Sequence, residues 1–162
     1  MQSEIRIRRA AAGDFDAVVC LDRELFASDR TYDATLDPGW TLSAAGRTFF
    51  RERIEGTDGV CFVAEAGGER LGYLCGAATE AEDFRTVRRI AELECMYVSP
   101  GARGRRIGER LVRAFLDWAR EEGVERVRVV ACAANAGAIR FYRRLGFADY
   151  DLTLEMDPAA LR

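Results

Sequence analysis

Glu92-Leu93-Glu94-Cys95-Met96-Tyr97-Val98-Ser99-Pro100-Gly101-Ala102-Arg103-Gly104-Arg105-Arg106-Ile107-Gly108 is the stretch on which the reading of this chain turns. Its first seven residues suit a strand, Ser99 to Gly101 break it, and Glu109-Arg110-Leu111-Val112 carry it into a helix. The first N–H groups of a helix have no intrahelical partner and lie at the positive end of its dipole, so an anion placed there is held by backbone. Gly104 and Gly108 let an anion come close, and Arg103, Arg105 and Arg106 add charge-assisted bonds suited to phosphate. The turn from Arg103 to Glu109 is read as a pyrophosphate cradle.

The chain has 162 residues, 49% of them hydrophobic, which fits one domain spanning 1–162 with an ordinary core. A net charge of −3 argues against a general nucleic-acid binder, so the arginine cluster is a local feature. All 24 basic residues are arginine, and there is no histidine. This composition excludes Ser-His-Asp and Cys-His catalysis, imidazole metal sites, Schiff-base chemistry and a Walker A loop. Cys20, Cys61, Cys75, Cys95 and Cys132 are widely spaced and odd in number, which indicates no zinc site or disulfide framework and predicts small buried hydrophobes. The N-terminal Met-Gln-Ser-Glu-Ile-Arg has no apolar leader, and no run approaches the ~20 residues of a membrane span. A cytoplasmic location with no membrane partner is expected.

Working outward, Ile5 to Arg8 alternates as a first strand, and Asp14 is placed to cap a helix running to about Ser28. Asp29 to Thr41 loses periodicity around the Asp37-Pro38-Gly39 turn, with Trp40 expected to pack against a second helix from Ser43 to Glu55. Val60–Ala66 and Arg70–Thr79 predict a hairpin about a three-residue loop, Gly67 to Glu69. An acidic connection, Glu80 to Arg85, leads to a strand ending at Val98. The helix after the cradle carries an apolar stripe of Ile107, Leu111, Ala114, Phe115 and Trp118 and stops at Gly123. Glu125 to Cys132 then predicts a buried parallel strand, reached by a right-handed crossover. Asn135 caps a last helix from Ala136 to Arg144, and Asp149 to Met156 alternates as a final strand.

Met96-Tyr97-Val98-Ser99-Pro100, then Arg103-Gly104-Arg105-Arg106-Ile107-Gly108, and after one strand Asn135 to Phe147, including Ala138 and Tyr142, resemble the two signature motifs of the GNAT-type N-acetyltransferase superfamily. The resemblance is sharp from Glu92 to Phe147. It implies an α/β (α+β) GNAT-like fold: a largely antiparallel sheet of six to seven strands, about four helices and one parallel crossover. It also implies acetyl-CoA as cosubstrate, no metal, and a primary amine on a small molecule or peptide as acceptor. Arg103, Gly104, Arg105, Arg106, Ile107, Gly108 and Glu109 would hold the pyrophosphate. Met96, Tyr97 and Val98 would pair with the pantetheine arm, which Asn135, Ala138 and Tyr142 would also meet. Arg106 stands where the family pattern usually has its first glycine. A side chain there is expected to require a negative φ and a Cβ turned outward.

An alkyl ammonium with a pKa of about 10.4 must lose a proton before it attacks. Glu92 and Glu94 are both candidate bases, two apart on one strand and so expected on one face with Met96 and Val98. Tyr142 matches the family's acid for the leaving thiolate, and helical geometry puts it at the edge of the core. An alternative function is a domain of this fold that binds acyl-CoA as a sensor or partner without transferring it, a reading that Arg106 favours. An RNA patch is disfavoured, because the arginines alternate with acids and lack stacking aromatics. A homodimer is compatible with the family.

Overall fold

The computed structural model describes residues 4–160; residues 1–3, which belong to the stretch read for a leader, and residues 161–162 lie outside the described residues. In chain order the elements are β1 (Arg6–Arg9), α1 (Phe15–Asp29), α2 (Ala44–Glu55), β2 (Gly59–Ala66), β3 (Glu69–Glu80), β4 (Arg89–Val98), α3 (Ile107–Glu121), β5 (Arg126–Val129) and α4 (Ala136–Arg144). The strands form one sheet in the order β1-β2-β3-β4-β5, antiparallel except for the parallel pair β4 and β5 joined through α3. Both faces are covered. On one, Leu111, Phe115 and Trp118 of α3 pack with Leu74, Ala91 and Leu93, and Phe141 and Tyr142 of α4 with Leu145 just after it flank them. On the other, Val18, Val19 and Leu21 of α1 and Phe50 of α2 pack with Val63, Tyr73 and Tyr97.

The expected six to seven strands are five among the described residues. Asp149 to Met156 has the right alternation but pairs with nothing, and Leu152, Leu154 and Met156 stand exposed. Alternation tells a strand which side faces a core; it does not supply a neighbour. The strand expected over Glu125 to Cys132 is shorter, because its ladder with β4 ends at Leu93 opposite Val129. The hairpin loop has two residues, since Ala66 pairs with Glu69 and both Gly67 and Gly68 take positive φ, the conformation that the tightest hairpins use.

Several local expectations hold. Ser43 caps α2 by accepting from the Gly46 amide, and Asn135 caps α4 by accepting from Ala138 at 3.0 Å. Trp40 packs as expected, stacked on Phe26 and edge-on to Phe49 and Phe50. Asp14 precedes α1 but makes no side-chain cap to it. Its buried carboxylate instead accepts from Arg8 at 2.7 and 3.0 Å, from Arg70 at 2.8 Å and from the Ala11 amide. The cysteine expectation holds for Cys61 and Cys75, whereas Cys95 is half-buried and Cys20 and Cys132 are exposed. No described helix is long and apolar enough to cross a bilayer.

Candidate functional site

Beyond Leu93 the two parallel strands separate, and the last four residues of β4, Cys95 to Val98, keep β3 as their partner without a strand on the β5 side. Beside this unpaired stretch, Ile107 at the start of α3 and the half-buried Tyr142 of α4 pack in one cluster with Met96 and Val98, and α1 packs with Cys95 and Tyr97 on the other face. The gap is therefore a place where extended backbone is exposed beside an anion-binding helix terminus.

The turn from Arg103 to Glu109 has an open backbone. Among the described residues, the amides of Gly104, Arg105, Arg106, Ile107, Gly108 and Glu109 meet no acceptor, and α3 has no side-chain cap; its first backbone bond runs from the Arg110 amide to the Arg106 carbonyl. A fifteen-residue helix with an uncapped start leaves several donors for an external anion. The expectation for Arg106 fails in one respect. Its φ is +58° with ψ 21°, the left-handed region, and it is the one described non-glycine residue with positive φ. The turn demands that backbone, Gly104 supplying a second positive φ at +77°, and the chain meets it with an arginine, at the cost of local strain. The side chains of Arg105 and Arg106 are exposed and form no ion pair among the described residues. Gly108 has a packing reason in addition to the one expected: a Cβ there would lie 3.3 Å from the Phe141 ring, so the bare backbone lets α4 press against α3. Ile107 is buried in the core, and Glu109 is tied to Arg113 at 2.7 Å.

Arg103 behaves differently from its neighbours. Its Nε donates to the Val98 carbonyl at 2.9 Å and its guanidinium lies 5.5 Å over the Tyr97 ring. It therefore occupies one of the β4 carbonyls expected to pair with an extended ligand arm. Met96 and Val98 face α3, while Tyr97 turns its ring to the opposite side, where burial and then Glu24 raise its phenol's pKa.

Glu92 and Glu94 do not share a face with Met96 and Val98. The pairing of β3 with β4 slips between Cys75 and Gly76: Cys75 faces Cys95 and Gly76 faces Leu93, so Glu94 is the extra residue of a β-bulge. The bulge inverts the alternation. Ala91 and Leu93 before it and Met96 and Val98 after it face α3, leaving both glutamates on the α1 and α2 side. Each is held by an arginine absent from the sequence-based site: Arg128 Nε donates to Glu92 at 2.7 Å, and Arg53 grips Glu94 with two bonds of 2.6 and 2.7 Å. Arg128 stands directly beside Glu92 in the parallel ladder, but only the register reveals that; Arg53 comes from the last turn of α2.

Tyr142 lies where the sequence puts it, at the edge of the core, edge-on to Phe141 and Phe147. Burial pushes its phenol well above the usual value, and the Cys95 sulfur and the Asp29 carboxylate act on it in the same direction. It stays protonated at neutral pH and can donate a hydrogen bond. The acidic connection is tied back, with Glu82 bonded to Arg128 at 3.1 Å. Two surface grooves, one between β1 and α3 and one along the outer side of α1, are lined by none of the expected site residues.

The acetyltransferase (GNAT) family matches residues 24–147, and the chain belongs to that family. It is similar to glucosamine 6-phosphate N-acetyltransferase 1 of Oryza sativa subsp. japonica, with 29% identity over 151 residues, 90% of each protein. The spore coat polysaccharide biosynthesis protein SpsD of Bacillus subtilis is 30% identical over 138 residues, 83% of this chain and 44% of that protein. Streptothricin acetyltransferase of Streptomyces lavendulae is 38% identical over 95 residues, 58% of this chain and 47% of that protein. The chain thus spans less than half the length of several curated relatives it matches. Among solved structures, the aminoglycoside N-acetyltransferase AAC(6')-Iy, bound to a CoA-acetylneamine bisubstrate analogue, shares the fold with a TM-score of 0.76 at 17% identity, covering 96% of this chain and 98% of that one. A transcriptional regulator from Bacillus halodurans has a TM-score of 0.75 at 25% identity, covering 95% and 99%.

Proposed function

We propose that the protein is an N-acetyltransferase that moves an acetyl group from acetyl-CoA to a primary amine by direct attack in a ternary complex. The observation that carries the reading is the row of six unmet amides from Gly104 to Glu109, opening beside the unpaired edge of β4 and Tyr142. Acetyl-CoA supplies the thioester that the amine attacks and the thiol that leaves. The amides and the Arg105 and Arg106 guanidiniums bind the pyrophosphate, and Met96 to Val98 offer backbone to the pantetheine arm. Arg103 must first release the Val98 carbonyl. Asn135, already spent as a cap, and Ala138 border the arm from α4. Tyr142 donates to the sulfur as charge develops on it, and its raised pKa makes hydrogen bonding to the sulfur its first role.

Glu92 and Glu94 remain the candidate bases, each working from within its ion pair. With both carboxylates engaged by arginines, the ammonium's proton leaves through water. Incubation with acetyl-CoA and a panel of amines, following thiol release, tests the assignment. Tight binding of acetyl-CoA with no turnover across the panel would select the sensor alternative.

The reading includes a homodimer. The outer edge of β5 has no partner among the described residues, and Leu152, Leu154 and Met156 are 65 to 83% exposed. A second copy covers them. Sedimentation of the wild type and of Leu152→Ser/Leu154→Ser should show dimer and monomer; a monomeric wild type at micromolar concentration rejects the dimer.

A further inference from the structure

One carboxylate at the end of α1 is left without an arginine. Asp29 closes α1, and among the described residues its side chain accepts no hydrogen bond and joins no ion pair. Its neighbour Arg30 is turned away to the Leu36 carbonyl. The Asp29 carbonyl accepts from the Tyr32 and Asp33 amides, which fixes the backbone at this corner while leaving the carboxylate free.

Helical geometry shows where the carboxylate faces. Asp22 is buried against the sheet, accepting from Tyr73 of β3 at 2.5 Å and from Thr41 at 2.6 Å. Two residues on, Glu24 acts on Tyr97, the β4 residue paired with Tyr73. The same face of α1 packs in one cluster with Cys95 and Tyr97, β4 residues beyond the end of the β4–β5 ladder, so α1 lies over the part of β4 that borders the gap. Seven residues after Asp22, about two turns or roughly 10 Å along the axis, Asp29 returns to the same sheet-facing side. Asp29 therefore ends, on its sheet-facing side, the helix that covers the part of β4 left without a β5 partner. The influence of the Asp29 charge on the Tyr142 phenol agrees with that placement, and so does the partial desolvation that raises the pKa of Asp29.

We propose that Asp29 is the docking carboxylate for the acceptor, receiving the ammonium group of a cationic alkyl amine at the mouth of the β4–β5 gap. This rests on the acetyltransferase reading for the identity of the reacting partner, but the binding claim stands apart from turnover. A lone, half-desolvated carboxylate is poorly solvated by water and gains a strong charge-assisted bond when an ammonium arrives. Glu92 and Glu94 cannot offer the same, because their arginines already satisfy them.

The experiment measures binding of putrescine and of kanamycin to CoA-loaded protein by calorimetry, alongside steady-state kinetics. In Asp29→Asn the affinity for both amines should fall at least tenfold and the acceptor KM should rise to match, while CoA affinity stays within twofold. Asp29→Glu should recover part of the loss. Amine affinity unchanged in Asp29→Asn overturns the proposal, as does wild-type protein that binds neither amine. Amine binding that depends on Asp29 without thiol release would instead sink the acetyltransferase reading and leave the docking site standing.

Discussion

Arg106 shows at the scale of one residue how a departure from a family pattern is accommodated. Its left-handed backbone is an arrangement that glycine adopts freely and an L-residue adopts at a cost of roughly 1 kcal/mol or more. Arg106→Gly should therefore stabilise the fold by about 1 kcal/mol, less the extra entropy of an unfolded glycine, raising Tm by about 2–4 °C. A lower Tm on thermal melting would mean that the side chain contributes more than its backbone costs. The same substitution removes one cation from the cradle, so acetyl-CoA affinity should weaken and become less sensitive to salt. For Tyr142, replacement by phenylalanine deletes the donor while keeping the ring contacts with Phe141 and Phe147. The kcat should drop on the order of 10²-fold with acetyl-CoA affinity nearly unchanged; unaltered turnover would remove Tyr142 from the chemistry.

Among the elements, the bulge in β4 decides the layout of the site. It depends on Gly76, where a Cβ would sit 2.2 Å from the Glu92 carbonyl oxygen and 2.7 Å from the Phe115 ring. Gly76→Ala should cost about 3 kcal/mol by denaturant unfolding, since neither backbone nor a buried ring can yield cheaply. A loss under about 0.5 kcal/mol would show that β4 can slip to a regular register. The bulge was not legible in the sequence. Glu92-Leu93-Glu94 alternates, but Cys95-Met96-Tyr97-Val98 is apolar throughout because both faces of the sheet are covered there, and a run buried on both sides carries no period to betray an inserted residue. The start of α3 was legible, because glycine, arginine and the onset of an amphipathic stripe coincide within six residues. The ion pairs of Arg53 and Arg128 were not: each joins residues more than thirty positions apart, which only the folded register brings together.

For the molecule as a whole, acid sensitivity should centre on Asp14, which ties β1 and β3 to the entry of α1 through Arg8 and Arg70. These arginines hold its carboxyl well below the usual range. A depressed folded value means that the contribution is complete above the ordinary aspartate pKa, about 3.9, and is lost as pH falls below it. Asp14→Asn should cost about 3 kcal/mol near pH 7, and its Tm curve should converge with that of the wild type below about pH 4. Parallel curves through pH 3 would place the acid-labile group elsewhere. The uneven burial of the five cysteines has a practical outcome for any assay of this protein. Cys20 and Cys132 lie open to reagents, whereas Cys61 and Cys75 are sealed in the sheet and Cys95 is half-covered at the gap. A disulfide-exchange dye added to follow thiol release should therefore give a prompt background from two protein thiols before any turnover. Cys95 should react more slowly and be slowed further by CoA, so that its labelling rate reports occupancy of the gap in the absence of an acceptor.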